Sequence, residues 1–288
     1  MKVSVSEKRT MAENIIMKIV FVIFFIYMIS LLLPFLFVLL NSLKTNREFF
    51  ADMIALPSIW QFGNYVKAFT ELSIDGTNLI VMFGNTAYFT VVGTFAQLSV
   101  STCAAYVVSK YEFRGKKFIY NLAIFIQIIP IVGTSASAYQ LYNNIGVRDN
   151  LPMAFILFLG GFGFNFILTY GYFRSVSWNY AEAGFIDGAS NIRVFLSIML
   201  PQAAPILVAL TITTAIGCWN DYMTPFMYFE SYPTVALGLF QFQKLQIYRS
   251  NMPVFFSAVV MSAVPVFILF TIFHKTIMEN MVAGGLKG

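Results

Sequence analysis

The feature that most constrains this chain is a succession of long, continuous apolar runs. Hydrophobic residues make up 58% of its 288 positions and charged residues only 11%, whereas a soluble domain carries charge on about a quarter of its residues. A chain this poor in polar groups cannot cover itself with a water-compatible surface, so it belongs in a bilayer. Lipid restricts spanning segments to helices or a closed barrel. The apolar runs here are continuous, unlike the alternating segments of a barrel, and therefore predict an all-α membrane protein.

A span needs about 20 predominantly apolar residues. Six runs qualify, over about 15–40, 83–108, 118–140, 152–173, 202–222 and 253–273. The first follows a short basic segment, but its apolar stretch exceeds a signal-peptide core of about 7–15 residues and no small-residue cleavage site follows. It reads as a retained helix. The N-terminal segment, 109–117, 174–200 and the C-terminal tail hold twelve Lys and Arg, among them Lys110, Arg114, Lys116 and Lys117; the alternate segments hold six. That asymmetry predicts both termini and the 174–200 loop on the cytoplasmic side.

The whole chain reads as a single transmembrane domain, with no internal repeat or low-complexity tract. The net charge of +5 is scattered among spans and forms no stripe for nucleic acid. Cys103 and Cys218 fall within spans without ligand-type spacing and read as two buried structural thiols. The external loops are aromatic (Phe49, Phe50, Trp60, Tyr65; Tyr228, Phe229, Tyr232). Either interfacial anchoring or docking of an external partner accounts for them.

Ion-coupled transporters place carboxylates or histidines inside spans. Here spans one to four and six lack Asp and Glu, Asp221 sits at the outer end of span five, and the one histidine, His274, lies at the cytoplasmic end of span six. The nearest imitation of a phosphate-binding loop, Arg114-Gly115-Lys116-Lys117, lacks the hydroxyl residue and the upstream glycine. No catalytic or metal constellation is visible. The chain is not expected to be an enzyme. If it pumps, energy enters from a partner across a cytoplasmic surface.

The candidate surface is Phe173–Pro201, which reads as two short helices meeting at a turn. Ser175 or Ser177 can cap the first, Asp187-Gly188 breaks the pattern, and Asp187 or Ser190 can cap the second. Pro201 suits the first turn of span five. Ala183, Gly184 and Gly188 form a small-residue surface that another protein could approach closely. An amphipathic loop lying on headgroups fits the same residues, and the physics leaves both readings open.

Glu182-Ala183-Gly184, Gly188 four residues on, and then Ile198-x-Leu200-Pro201 resemble the EAA loop of binding-protein-dependent ABC importer permeases. With Asp187-Gly188-Ala189 and Phe195, the string is similar to the carbohydrate branch, in particular the maltose-type second permease. Gly184 stands where the family often has Ala. Leu43-Lys44 after a Pro34-containing span, Asn85-Thr86, Ala104-Ala105-Tyr106, Pro130, Phe173-Arg174-Ser175, Trp219-Asn220-Asp221 and the tail Ala283–Gly288 extend the resemblance along the chain.

The resemblance implies that Glu182, Ala183, Gly184, Asp187 and Gly188 form a coupling helix docking on a cytoplasmic ATPase, with Glu182 offered to that ATPase or to Arg193. It implies that Gly284, Gly285 and Lys287 reach the ATPase pair. Partners would be a second, homologous permease, two copies of the ATPase and an extracytoplasmic solute-binding protein, with ATP and Mg on the ATPase and no cofactor in this chain. Trp219, Asn220 and Asp221 suit sugar hydroxyls or an interfacial belt; Asn165 and Gln127 suit a cavity lining or helix-to-helix hydrogen bonds. The expected cargo is a sugar or oligosaccharide, imported across the bacterial inner membrane. A non-sugar solute carried by the same machine, or an ion-coupled secondary transporter, is the alternative.

Overall fold

The computed structural model describes residues 11–128, 133, 135–245 and 251–283. Helix α1 (Met11–Ser42) leads through α2 (Asn46–Ala51) and α3 (Gly63–Glu71) to a small hairpin, β1 (Ser73–Ile74) and β2 (Thr77–Asn78), and then to α4 (Leu79–Lys110). Next come α5 (Lys116–Ile128), α6 (Ser135–Asn144), α7 (Ala154–Leu157), α8 (Phe164–Ser175) and α9 (Asn179–Ile186). Helix α10 (Asn191–Gln202) contains a π-helical turn over Phe195–Met199. Helices α11 (Ala204–Trp219), α12 (Met223–Tyr228), α13 (Val235–Leu245) and α14 (Met252–Ala283) follow.

Three stretches are long and apolar enough to cross a bilayer as single helices: Glu13–Ser42, Leu79–Lys110 and Met252–Lys275. They contain the first, second and sixth expected runs. The fifth is a broken element, with α10 and α11 meeting at 78°. Pro201 therefore falls before the bend, and Pro205 occupies the first turn of α11 instead. The fourth run, expected as one segment over 152–173, is split between α7 and α8. Its break holds Gly160, Gly161 and Gly163, and each glycine weakens a helix by about 1 kcal/mol relative to alanine. Gly161 also permits a close approach, since a Cβ there would stand 2.8 Å from Val100 Cγ1. The third run corresponds to α5 and α6; of the residues between them, only Gly133 is described.

The described residues of Met1–Ala68 and Arg249–Met261 form one compact unit, and those of Phe69–Tyr248 and Ser262–Gly288 form a second. In the first, α1 presents apolar side chains in all directions up to Leu39, and burial begins at Asn41. Lys44, only 1% exposed, donates through Nζ to the carbonyls of Asp52 and Met53, each at 3.0 Å. Asn64 Nδ2 donates to the carbonyls of Ser42 and Lys44 at 2.8 Å. Thr45 and Glu48 form a capping box at the start of α2, which satisfies two otherwise orphaned N–H groups. Phe49, expected at the loop surface, is buried and meets Phe256 at 5.5 Å between ring centroids.

In the second unit α4 packs against both α8 and α11. Near its C-terminal end Ala105, Tyr106, Phe166, Phe173, Val194 and Met199 form one buried cluster; nearer its start Phe89, Val147, Phe158, Cys218 and Phe229 form another. Tyr228 and Phe229, read from sequence as loop aromatics, belong to this second core. Cys218 is buried as expected, but Cys103 lies on an exposed face of α4. A Cβ at Gly93 would come within 3.0 Å of Cys218 Sγ and 3.2 Å of Phe158, so glycine lets these elements touch. The Thr86 hydroxyl donates to the Met82 carbonyl at 2.7 Å and accepts the Val235 N–H at 2.9 Å, capping α13 from α4. Asn85 Nδ2 holds the Pro233 carbonyl at 3.0 Å beside it. The Asp75-Gly76 turn of the hairpin has φ of 49° and 79°, the left-handed pair that a two-residue type I′ turn requires.

Replacing Lys44 with methionine keeps the bulk but strands two carbonyls. Lys44→Met is expected to cost about 1.5–3 kcal/mol, as for hydrogen bonds to a charged group, and to raise amide exchange over 52–64 selectively. A second outcome concerns acid. The Thr45 backbone N–H holds the Glu48 carboxyl below its ordinary value, with further bonds from the Thr45 hydroxyl and the Ser58 N–H acting the same way. A lowered folded value means this stabilisation is present above the unfolded value near 4.5 and fades as pH falls through the folded one. Protection against exchange over 45–58, relative to the intrinsic rate, should fall in that acid window. Glu48→Gln should reduce the pH dependence to the part contributed by Asp52, whose carboxyl the Ile54 and Ala55 N–H groups also hold below its ordinary value.

Candidate functional site

The segment after α8 is built as a two-helix hairpin. Ser175 does not cap α9; its hydroxyl donates back to the Tyr172 carbonyl at 2.8 Å and closes α8. Ser177 Oγ accepts the Asn179 N–H at 3.3 Å instead. At the other end of α9 Asp187 is the C-cap, not the N-cap of the next helix. Gly188 follows with φ of +78°. Its N–H reaches the Phe185 carbonyl at 3.0 Å, and the Ala189 N–H reaches the Gly184 carbonyl at 2.9 Å. These two bonds are a Schellman motif, in which glycine adopts the left-handed conformation without a steric penalty. Ser190 then caps α10 by accepting the Arg193 N–H.

The small residues divide into two roles. Gly184 is buried and faces inward: a Cβ there would meet Ile198 Cδ1 at 2.5 Å and Val194 Cγ2 at 3.1 Å. It sets the spacing of α9 from α10 and is not part of an outer docking surface as expected. Glu182, Ala183, Asp187 and Gly188 are exposed, and a Cβ at Gly188 would meet nothing within 4 Å. Beside them Ile186, which the sequence places at the flank of the small-residue surface, is 85% exposed, and Ile192, which sequence reasoning did not single out, is 72% exposed. Among the described residues Glu182 and Arg193 form no ion pair with each other.

The hairpin is fastened to the end of α4. Tyr106 stacks near Phe195 at 4.7 Å and meets Phe173 edge-on at 5.4 Å. Tyr111 packs on Trp178 at 5.8 Å, and its hydroxyl lies 3.3 Å from Asn191 Oδ1. The Lys110 ammonium donates to the Val176 carbonyl. Across α8, the Tyr172 hydroxyl donates to the Gln202 carbonyl at 3.0 Å. Every contact joins the hairpin to a helix of the same unit, so a force on its tip is borne by α4, α8 and α10 together.

A groove of about 1690 Å³ runs along the same unit, from Ser177 and Tyr180 of this hairpin to Asp221 beyond α11. Asn165 lines it and donates to Thr214 Oγ1 at 3.1 Å. Asp221 lines it too, while its Oδ1 caps α12 by accepting the Thr224 N–H at 3.0 Å. Gln97, Tyr120, Tyr170 and Thr213 are further lining residues that sequence reasoning missed. An amide within an otherwise apolar run was the available signal for Gln97. Trp219 is turned away: its indole N–H donates to the Ser262 carbonyl at 3.0 Å and its ring lies 6.2 Å from Phe83. Asn220 folds back onto the Ile216 carbonyl at 2.9 Å, and Gln127 is exposed near the end of α5. The expected Trp219-Asn220-Asp221 platform is thus not one surface. Gly284, Gly285 and Lys287 lie outside the described residues.

The profile of the family described as "Binding-protein-dependent transport system inner membrane component" matches residues 97–279. The probable ABC transporter permease protein YurM of Bacillus subtilis (strain 168) is 29% identical over 273 residues, covering 93% of this chain and 88% of that protein. The diacetylchitobiose uptake system permease protein NgcG of Streptomyces coelicolor is 27% identical over 273 residues, covering 91% of this chain and 86% of NgcG. Among solved structures, a chain of a bacterial ABC transporter involved in import of the acidic polysaccharide alginate superposes with a TM-score of 0.80. It is 22% identical and covers 94% of this chain and 99% of its own.

The Schellman turn yields an outcome confined to the backbone. Gly188→Ala is expected to cost about 1–2 kcal/mol for a left-handed residue bearing a Cβ, and Gly188→Asn less, since Asn tolerates that region. Thermal unfolding of the purified chain in detergent measures both.

Proposed function

This chain belongs to the binding-protein-dependent transport system inner membrane components, and from that premise we propose that it is the permease subunit of an ATP-driven importer of sugars or oligosaccharides. The cargo is supported by what similar proteins are described as carrying: diacetylchitobiose for NgcG and alginate for the structural neighbour. In this reading the chain crosses the bacterial inner membrane six times with both termini in the cytoplasm, as the distribution of Lys and Arg suggests. It pairs with a second, homologous permease and two copies of a cytoplasmic ATPase, and an extracytoplasmic binding protein delivers the sugar. ATP and Mg bind the ATPase; this subunit performs no chemistry.

The observation that carries the proposal is the hairpin over 176–202. Its tip is exposed and apolar at Ile186 and Ile192. Its turn is fixed by Gly188, and its base is locked to α4 through Tyr106, Phe195 and Phe173. Such a body transmits displacement without deforming, because a close-packed aromatic core does not compress. Closure of the ATPase pair would shift the tip, and the shift would pass through α10 into α11, which lines the groove. Rearranging that groove between inward and outward openings is the transport step. Gln97, Asn165, Thr213, Thr214 and Asp221 are among the hydroxyl-compatible groups that this subunit offers the sugar.

Gly188→Trp adds bulk to the docking turn where this chain itself has room. The variant is expected to reach the membrane and lose ATP-coupled uptake, whereas Gly188→Ala, which carries the same left-handed strain without the bulk, retains it. Normal uptake by the tryptophan variant would remove the proposal. Co-purification of the tagged chain should bring a second permease and an ATPase with it.

A further inference from the structure

The first unit carries an exposed apolar ridge that the transport reading does not use. Between residues 50 and 62 the side chains of Phe50, Ile54, Leu56, Ile59, Trp60 and Phe62 are all exposed, Ile54 by 87% and Leu56 by 71%. The acids of this segment are turned to the backbone. Glu48 accepts the N–H groups of Thr45 and Ser58 and the Ser58 hydroxyl, and Asp52 accepts those of Ile54 and Ala55. So many exposed apolar side chains on one short segment, with Trp60 and Phe62 stacked at 6.4 Å between ring centroids, mark an interaction site and not a solvated loop.

The height of the ridge is fixed by hydrogen bonds. The Gln61 N–H donates to the Leu43 carbonyl at 2.8 Å. Asn64 Nδ2 holds the carbonyls of Ser42 and Lys44, and Lys44 Nζ holds those of Asp52 and Met53. Both ends of the segment 52–64 are thereby tied within two residues of Ser42, where α1 stops. The apolar stretch Glu13–Ser42 has 30 residues and so measures about 45 Å, against a hydrocarbon core of about 30 Å. Its ends stand among the headgroups, and a segment tied to one end stands there too. Trp and Phe are the side chains favoured at that depth.

We propose that residues 50–62 form a membrane-embedded foot. It lies in the headgroup–acyl boundary of the leaflet at which α1 ends, with Trp60, Ile54, Leu56 and Ile59 in lipid and the exposed Arg47 at the phosphate level. The foot fixes the vertical position of the first unit. It requires only that α1 crosses the bilayer and is independent of what the chain transports.

Depth-dependent quenching tests it. The chain has three tryptophans, so the full-length variant Trp178→Phe with Trp219→Phe leaves Trp60 as the one tryptophan of this subunit. The Trp60 emission is the difference between that complex and the same complex carrying Trp60→Phe as well. Reconstituted with the co-purifying subunits into phosphatidylcholine–phosphatidylglycerol vesicles brominated near the headgroup, this difference signal should be mostly lost. In unlabelled vesicles its emission should be blue-shifted and insensitive to aqueous iodide. Emission quenched by iodide and unmoved by brominated lipid overturns the proposal. Because Trp178 and Trp219 both pack internally, a second measurement leaves them in place, with a benzophenone amino acid substituted at the exposed Ile54. Photo-adducts to phospholipid support the foot; adducts to a protein in place of lipid refute it.

Discussion

Hydrocarbon supplies no partner for a backbone N–H or carbonyl, so every interruption of a helix in this chain has to satisfy its own polar groups. The interruptions are numerous, and among the described residues several show what they use. At the 78° bend, the Ala203 N–H reaches the Met199 and Leu200 carbonyls at 3.3 and 3.0 Å. At the end of α11, Asn220 returns to the Ile216 carbonyl and Asp221 receives the Thr224 N–H. Before α7, the Tyr88 hydroxyl donates to the Leu151 carbonyl at 2.9 Å. Within the unbroken helices the hydroxyls return to the carbonyl one turn back, as Ser101 does to Gln97 and Thr211 to Leu207.

That accounting bears on how far function can be assigned to individual residues. Trp219 and Asn165 are both polar groups in spans, yet the first is committed to a carbonyl of α14 and the second to a hydroxyl of α11 while lining the groove. Hydrogen-bonding capacity is common along the spans; capacity combined with a wall position is rarer. Gln97, Asn165, Thr214 and Asp221 have both.

What could be read from the sequence followed the length of the signal. Runs of more than twenty apolar residues predict helices independently of context, and α1, α4 and α14 contain the runs assigned to them. Where an element depends on partners, the pattern was ambiguous. Gly184 and Gly188 look alike as letters, but one permits α10 to approach and the other permits a positive φ. Asp187 and Ser190 are both good N-caps, and only the Schellman geometry decides that Asp187 ends a helix while Ser190 begins one. The triple glycine at 160–163 was a visible warning that the fourth run would break. The Asp75-Gly76 turn was equally legible as a hairpin signal, hidden only by the weight of the apolar runs around it.

The bend at Ala203 converts the hairpin into a crank. Helix α11 has 16 residues, an arm of about 24 Å, so a rotation of about 10° at its base sweeps its far end through about 4 Å. Asp221 lies just beyond that end and borders the groove. Pro201 and Pro205 carry no N–H, so two backbone donors are absent around the pivot, and the π-helical turn over Phe195–Met199 already departs from the α-helical ladder, which lowers the resistance to such a rotation. A straight helix would move its two ends by equal amounts along its axis. A bent one turns a small angular input at the tip of the loop into a lateral stroke comparable to the thickness of a sugar ring.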